Sequence, residues 1–181
     1  MLLAHLPALV IVIPLICAPL CVLIRGKDWA FIVAVLATWA SFACSVLLTL
    51  QVMKVGTISY AMGGWAPPYG IEIRLDALNV FILLIVSGIG SVVAPYARNS
   101  LLLEHIEERA YMFYCAYLLC LCGLMGVTVT GDAFNLFVFL EISSLSSYVL
   151  IALGSDRRAL TAAYQYLVMG TIGATFIVIA V

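Results

Sequence analysis

Apolar residues run in six long blocks, separated by short clusters of polar ones. The blocks cover residues 3–24, 29–53, 76–97, 110–131, 133–153 and 159–181. Each holds about 20 mostly apolar residues, the length an α-helix needs to cross a hydrocarbon core of roughly 30 Å. Pro7, Pro14 and Pro19 fall in the first block and are expected to kink it. Such breaks survive where neighbouring helices satisfy the freed carbonyls. Segment 54–75 follows a different rhythm. Thr57-Ile58-Ser59-Tyr60 and Gly70-Ile71-Glu72-Ile73-Arg74-Leu75 alternate polar and apolar residues around Gly63-Gly64-Trp65-Ala66-Pro67-Pro68. Alternation about a Gly/Pro turn predicts a short β-hairpin, read here as a surface cap between helices 2 and 3. Trp65, Tyr60 and Tyr69 suit the headgroup layer. The pattern as a whole predicts an all-α integral membrane protein: one transmembrane region, residues 1–181, of six helices with a short external β-hairpin between helices 2 and 3.

Composition agrees with that reading. The chain is 66% hydrophobic and 9% charged, where a soluble domain carries about 25% charged residues. A net charge of −1 gives no electrostatic case for nucleic-acid binding. The six cysteines all lie inside apolar blocks, with no CxxC pair and no Cys/His cluster, so they read as small packing residues rather than metal ligands. His5 is at the N-terminus and His105 in a polar loop, which argues against a buried haem ligand and against a Ser–His hydrolytic pair. Neither a catalytic centre nor a cofactor is therefore expected. Residues 1–24 contain no Lys or Arg, and their apolar run exceeds the 7–15 residues usual in a signal peptide. They read as a retained first span.

The short loops predict an orientation. Arg25, Lys27, Arg98, Arg109, Arg157 and Arg158 fall on one side if the six spans alternate; Lys54 and Arg74 fall on the other. The basic side is expected to be cytoplasmic, which puts the N-terminus outside. Glu104, Glu107 and Glu108 lie in a cytoplasmic loop on this reading and carry little weight.

One residue breaks the apolar pattern in a way that bears on chemistry. Glu141 lies eight residues into the fifth block, roughly 12 Å deep at ~1.5 Å per residue, close to the midplane. An ionisable group there costs on the order of 2.5–3.5 kcal/mol on insertion scales and by default marks an ion or proton pathway. Burial disfavours the charged form of such a carboxyl, whereas a nearby lysine would hold it ionised. Ser144 and Tyr148 share its helical face, and Phe134, Phe137, Val138 and Phe139 make the other half of the span dry, which predicts access by water from the Tyr148 side. Asp132 is the expected N-cap. In helix 6, Gln165 follows Thr161 on one face and suits a hydrated path, or equally an interhelical hydrogen bond. Gly170 with Ala174, and Ser87 with Ser91 around Gly88 and Gly90, read as helix contacts. Asn79 suits either a pathway or a contact, while Arg74 and Asp76 are expected to anchor the start of helix 3. A structural carboxyl, hydrogen-bonded to a neighbouring helix, is the alternative reading of Glu141.

The run Gly131-Asp132-Ala133-Phe134-Asn135-Leu136-Phe137-Val138-Phe139-Leu140-Glu141-Ile142-Ser143-Ser144-Leu145-Ser146-Ser147-Tyr148 resembles the antiporter-like membrane subunits. These are the D subunit of Mrp-type cation/proton antiporters and the related proton-pumping subunits of complex I and membrane hydrogenases. Gly64-Trp65-Ala66-Pro67-Pro68-Tyr69 and Arg74-Leu75-Asp76-Ala77-Leu78 resemble the family's external hairpin leading into helix 3. Ser155-Asp156-Arg157-Arg158 and Tyr164-Gln165-Tyr166-Leu167 are most similar to the Mrp D branch. The resemblance implies that Glu141 matches the glutamate that pairs, in the family, with a lysine on a broken helix 7. It implies the N-terminal part of an inverted-repeat subunit of about fourteen spans, in which sites form between repeats. No lysine lies within any of the six blocks, so such a piece alone is expected not to move protons.

The function implied is that of a proton- or cation-translocating subunit of a multisubunit Mrp-type Na⁺/H⁺ antiporter. A proton-pumping subunit of a complex I-like NADH-quinone oxidoreductase or membrane hydrogenase is the alternative, as is a non-pumping structural remnant. A self-contained six-helix channel is disfavoured, because one carboxylate without a partner makes a poor transport site. The partners implied are other membrane subunits and the lipid bilayer. The place implied is the inner or plasma membrane.

Overall fold

The computed structural model describes residues 5–65, 70–103 and 109–180. The expectations for Ala66-Pro67-Pro68-Tyr69, for the loop carrying Glu104, His105, Glu107 and Glu108, and for the ends of blocks 1 and 6 lie outside those residues. Among them are six helices long and apolar enough to cross a membrane. In order these are α1 (Leu6–Ile24), α2 (Lys27–Val55), α3 (Ala77–Leu103), α4 (Ala110–Val129), α5 (Ala133–Ala152) and α6 (Arg157–Ala180). Between α2 and α3 lies the hairpin of β1 (Ile58–Ala61) and β2 (Glu72–Leu75).

Several helices pass the bounds set by hydropathy, because a helix need not end where the hydrocarbon does. α3 continues six residues beyond 97 and carries Arg98, whose guanidinium donates to Asp28 Oδ1 at 2.8 Å and lies 4.9 Å over the Phe31 ring. α2 starts at Lys27, so that Asp28 falls in its first turn, where a negative charge suits the helix dipole. Pro7 falls in the first turn of α1, where a missing N–H costs nothing, and the helix runs on through Pro14 and Pro19.

The hairpin pairs Ile58 with Leu75 and Ala61 with Glu72 in an antiparallel register. Gly63 (φ 71°) and Gly64 (φ 80°) turn the chain through the left-handed region that side chains with a Cβ rarely adopt. The hairpin does more than cap. Ile73 bridges to Thr130, and the Gly131 N–H donates to the Glu72 carbonyl at 2.9 Å, so β2 grips the connection from α4 to α5. His5 Nδ1 lies 2.8 Å from the Tyr60 hydroxyl. The start of α1, the hairpin and the α4–α5 connection thus share one end of the bundle, and Asp28 and Arg98 meet at the other.

Two clusters fill the interior. One joins Leu48, Leu83, Leu121, Met125 and Val129 to Ile73 and Leu75 of β2. The other packs Ala30, Ala34 and Ala37 against Ala97, Tyr114 and Leu118. Both belong to α1–α4 and the hairpin. The buried residues of α5 are Asn135, Ser143, Ser146 and Tyr148, and α6 buries Ala163 among its described residues. The last two helices therefore flank the core rather than build it.

Candidate functional site

Helix α5 is placed by its first turn and by one face. Asp132 caps it as expected: its Oδ1 accepts from the Asn135 N–H at 2.7 Å, and its Oδ2 from Asn135 Nδ2 at 2.5 Å. Such a cap contributes about 1 kcal/mol. Further along, α4 presents Gly123 and Gly126 to it. A Cβ at Gly123 would come within 2.6 Å of the Ser143 nitrogen and 2.8 Å of the Phe139 carbonyl oxygen. A Cβ at Gly126 would collide with the Phe139 ring. The two backbones touch, and Phe139 locks the rotation of α5 by filling the space that glycine leaves.

With that rotation fixed, the polar residues of α5 divide. Ser143, Ser146 and Ser147 return their hydroxyls to the carbonyls of Leu140, Ile142 and Ser143, and Ser147 also meets Cys120 Sγ of α4 at 3.4 Å. Glu141 and Ser144 turn towards α6 instead. They share a cleft of about 180 Å³ with Phe137, Leu140, Gly170, Gly173, Ala174 and Ile177. Glu141 is half-buried, and its carboxyl makes no hydrogen bond or ion pair among the described residues. The same holds for the Ser144 hydroxyl. The cleft has room for several waters, each of which needs some 10–15 Å³ of accessible space.

The cleft does not run as the polar stripe of α5 suggests. It extends from Ser144 towards Phe137 and Ile177, away from Tyr148. Its position follows the small residues of α6: a Cβ on Gly173 meets nothing within 4 Å. Tyr148 is buried, with its ring edge-on to Tyr166 at 5.1 Å, and it lines a second groove with Leu145, Val149, Ala152, Leu160 and Leu167. Gln165 is not brought to the site. It is exposed, on the side of α6 away from Ala163, Leu167 and Gly170, which face α5. Thr171 and Thr175 donate to their own helix, at Leu167 and Thr171, and do not reach the cleft.

Other candidates resolve as architecture. Asn79 donates from its N–H to Asp76 Oδ1 and from Nδ2 to the Arg74 carbonyl, both at 2.9 Å, so these three residues anchor the start of α3. Ser87 meets Ser45 of α2 at 2.7 Å, and the Gly90 carbonyl accepts from the Tyr117 hydroxyl at 2.7 Å, which makes this stretch of α3 a helix contact. Among the described residues no group of three His, Cys, Asp or Glu side chains could hold a metal ion. Sequence reasoning missed Gly123, Gly126 and Gly173. The signal was present as small residues three apart, at 123/126 and 170/173.

No family model matches the chain. The N subunit of NADH-quinone oxidoreductase from Desulforudis audaxviator is 39% identical over 183 residues, which cover 98% of this chain and 36% of the relative. The D subunit of the Na(+)/H(+) antiporter from Bacillus subtilis is 31% identical over 174 residues, 94% of this chain and 34% of the relative. Among solved structures, the membrane-bound sulfane sulfur reductase, an archaeal respiratory membrane complex, contains a chain that superposes with a TM-score of 0.84 at 31% identity, over 95% of this chain and 35% of that one. The chain thus spans about a third of the length of the proteins it matches. On these likenesses, and on its six helices long and apolar enough to cross a membrane, the chain is a multi-pass membrane protein homologous to the antiporter-like membrane subunits, among them the antiporter D subunit and the oxidoreductase N subunit.

Proposed function

We propose that this chain is part of the proton- or cation-translocating membrane subunit of a multisubunit Mrp-type Na⁺/H⁺ antiporter, with Glu141 as its buried relay carboxylate. The observation that carries the reading is the carboxyl itself: midway along a transmembrane helix, facing a cleft, with no hydrogen bond or ion pair among the described residues. A carboxyl kept only for structure would be expected to hydrogen-bond a neighbouring helix. Ser144 beside it supplies a hydroxyl for water in the cleft. The residues 1–181 act as one transmembrane region in the plasma or inner membrane, with the N-terminus outside. Six of the eight basic residues support that orientation, since they fall at the Asp28–Arg98 end when the six spans alternate. The working partners are other membrane subunits and a cationic side chain that pairs with Glu141 during transport.

One observation favours a second reading, membership of a complex I-like NADH-quinone oxidoreductase: the identity to the oxidoreductase N subunit is 39%, against 31% to the antiporter D subunit. Glu141 has the same part in both. The test is Glu141→Gln in the full-length subunit within its assembled complex, which keeps size and hydrogen bonding but removes titration. Cation-driven proton transport in vesicles is expected to fall about tenfold or more with assembly unchanged. Transport at the original rate would overturn the relay and leave a structural helix.

A further inference from the structure

Gly170 stands at a junction. It lines the Glu141 cleft, and the place where its Cβ would be is taken by the Tyr148 hydroxyl. Tyr148 in turn lines the groove of about 380 Å³ that follows the same α5–α6 seam towards Arg157, between Leu145, Val149 and Ala152 on one helix and Leu160, Tyr164 and Leu167 on the other. The phenol therefore crosses from one space to the edge of the next. Tyr166 holds the ring edge-on, with ring planes at 86°, and Gly170, four residues on, provides the notch for its tip. The side chain is 8% exposed, yet its hydroxyl has no hydrogen bond among the described residues. Nor is it sealed: the fully enclosed side-chain polar atoms left without a partner among the described residues are Ser41 Oγ and Gln51 Oε1, both on α2. A buried tyrosine hydroxyl normally finds a partner. This one is positioned to take a water.

We propose that Tyr148, seated in the Gly170 notch, is a positioning residue that passes protons between the basic-end groove and the Glu141 cleft while excluding hydrated cations. This rests on the relay reading of Glu141. A phenol hydroxyl both accepts and donates. It takes a proton from a water on one side as it gives its own to a water on the other, so one proton crosses and the phenol is unchanged. An ion with its hydration shell has no such route past a ring wedged between two helices. The groove on the Arg157 side is apolar apart from Tyr148 and Tyr164, so water in it is poorly held, and the Tyr148 hydroxyl is the polar atom where it meets the Gly170 notch. The titratable groups around the junction are Glu141 on α5, Tyr164 and Tyr166 on α6, and Cys120 of α4, which is engaged with Ser147.

The experiment uses the full-length subunit in its complex, reconstituted in liposomes, with Tyr148→Phe, Gly170→Ala and Glu141→Gln in parallel. Tyr148→Phe removes the hydroxyl and no hydrogen bond to protein. Assembly, thermal stability and the apparent KM for the cation are expected to be unchanged, while turnover falls about tenfold or more. Gly170→Ala displaces the hydroxyl and is expected to lower both turnover and stability. Adding Tyr148→Phe to it restores part of the stability, because the oxygen at the alanine Cβ is gone while the ring carbon behind it stays 2.8 Å away, but it does not restore turnover. Normal turnover in Tyr148→Phe, or a loss that only tracks reduced stability, overturns the proposal. If Glu141→Gln is inactive while Tyr148→Phe is normal, the gate alone falls. If both are normal, the relay reading falls and takes the gate with it.

Discussion

Helix α5 meets its two neighbours in opposite ways. Towards α4 the backbones approach until a methyl group has no place, and every serine hydroxyl on that side has an acceptor. Towards α6 the helices stand apart around two spaces, and the polar groups of the seam, Glu141, Ser144 and the Tyr148 hydroxyl, have no hydrogen-bond partner among the described residues. Glycines occur on both sides, with opposite consequences. At Gly123 and Gly126 the missing side chain lets helices close; at Gly173 it leaves a gap open. A close-packed contact has one arrangement and resists change. A seam with unsatisfied polar groups can take water or a partner side chain. The first holds Glu141 in place, and the second gives it access.

That division can be broken from either side. The largest effect is expected for Gly123→Leu. Its Cβ meets the backbone of Ser143 and Phe139, which cannot rotate away as a side chain can. Overpacking of this kind costs on the order of 1–3 kcal/mol and sometimes more, so the variant protein should assemble poorly, with a clearly lowered Tm in detergent. Gly173→Leu is the matched change on the open side. Its side chain grows into the cleft and meets no neighbour at the Cβ. Stability should stay within about 0.5 kcal/mol of the original, while on the proposed relay transport falls severalfold, because the cleft beside Glu141 loses its room for water. Equal destabilisation by the two substitutions would show that the seam is as tightly packed as the α4 contact, and the distinction would be lost.

Much of this architecture was legible from hydropathy, because a bilayer-crossing helix needs a long apolar block and the chain has six. The alternation around Gly63-Gly64 was enough for the hairpin, and its wider grip, on Gly131 and Thr130, was not, since β-bridges between distant segments leave no periodic mark. Glu141 stood out because a carboxyl in a span is rare. Its surroundings were harder to read. Helical spacing put Ser144 and Tyr148 on its face, but whether that face is open depends on what the neighbouring helix lacks: Gly173 leaves a gap beside Glu141, while the notch at Gly170 is filled by the Tyr148 hydroxyl. Gln165 shows the same limit from the other direction. Its spacing from Thr161 is right for a stripe, and the phase of α6 against α5, set by Ala163, Leu167 and Gly170, turns it outward.

The smallest expected effect sharpens the comparison most, because it asks whether polar groups in the close-packed part of the bundle are engaged at all. Ser45 and Ser87 are fully buried between α2 and α3 with their hydroxyls 2.7 Å apart. Each also has a carbonyl of its own helix within reach, Phe42 for Ser45 and Leu83 for Ser87. The cross-helix bond is therefore not the sole partner of either, and its loss leaves no orphan. Interhelical hydrogen bonds in membranes average ~0.6 kcal/mol by double-mutant cycle. A coupling of about that size is expected between Ser45→Ala and Ser87→Ala in the Tm or unfolding free energy of the purified complex. Ser144→Ala, cycled against Gly170→Ala, should give a coupling near zero, since nothing on α6 accepts from that hydroxyl. A coupling at Ser144 as large as that at Ser45 would mean that it already spends its hydrogen bond on the neighbouring helix, and the seam would then be closed to the water that the proposed relay requires.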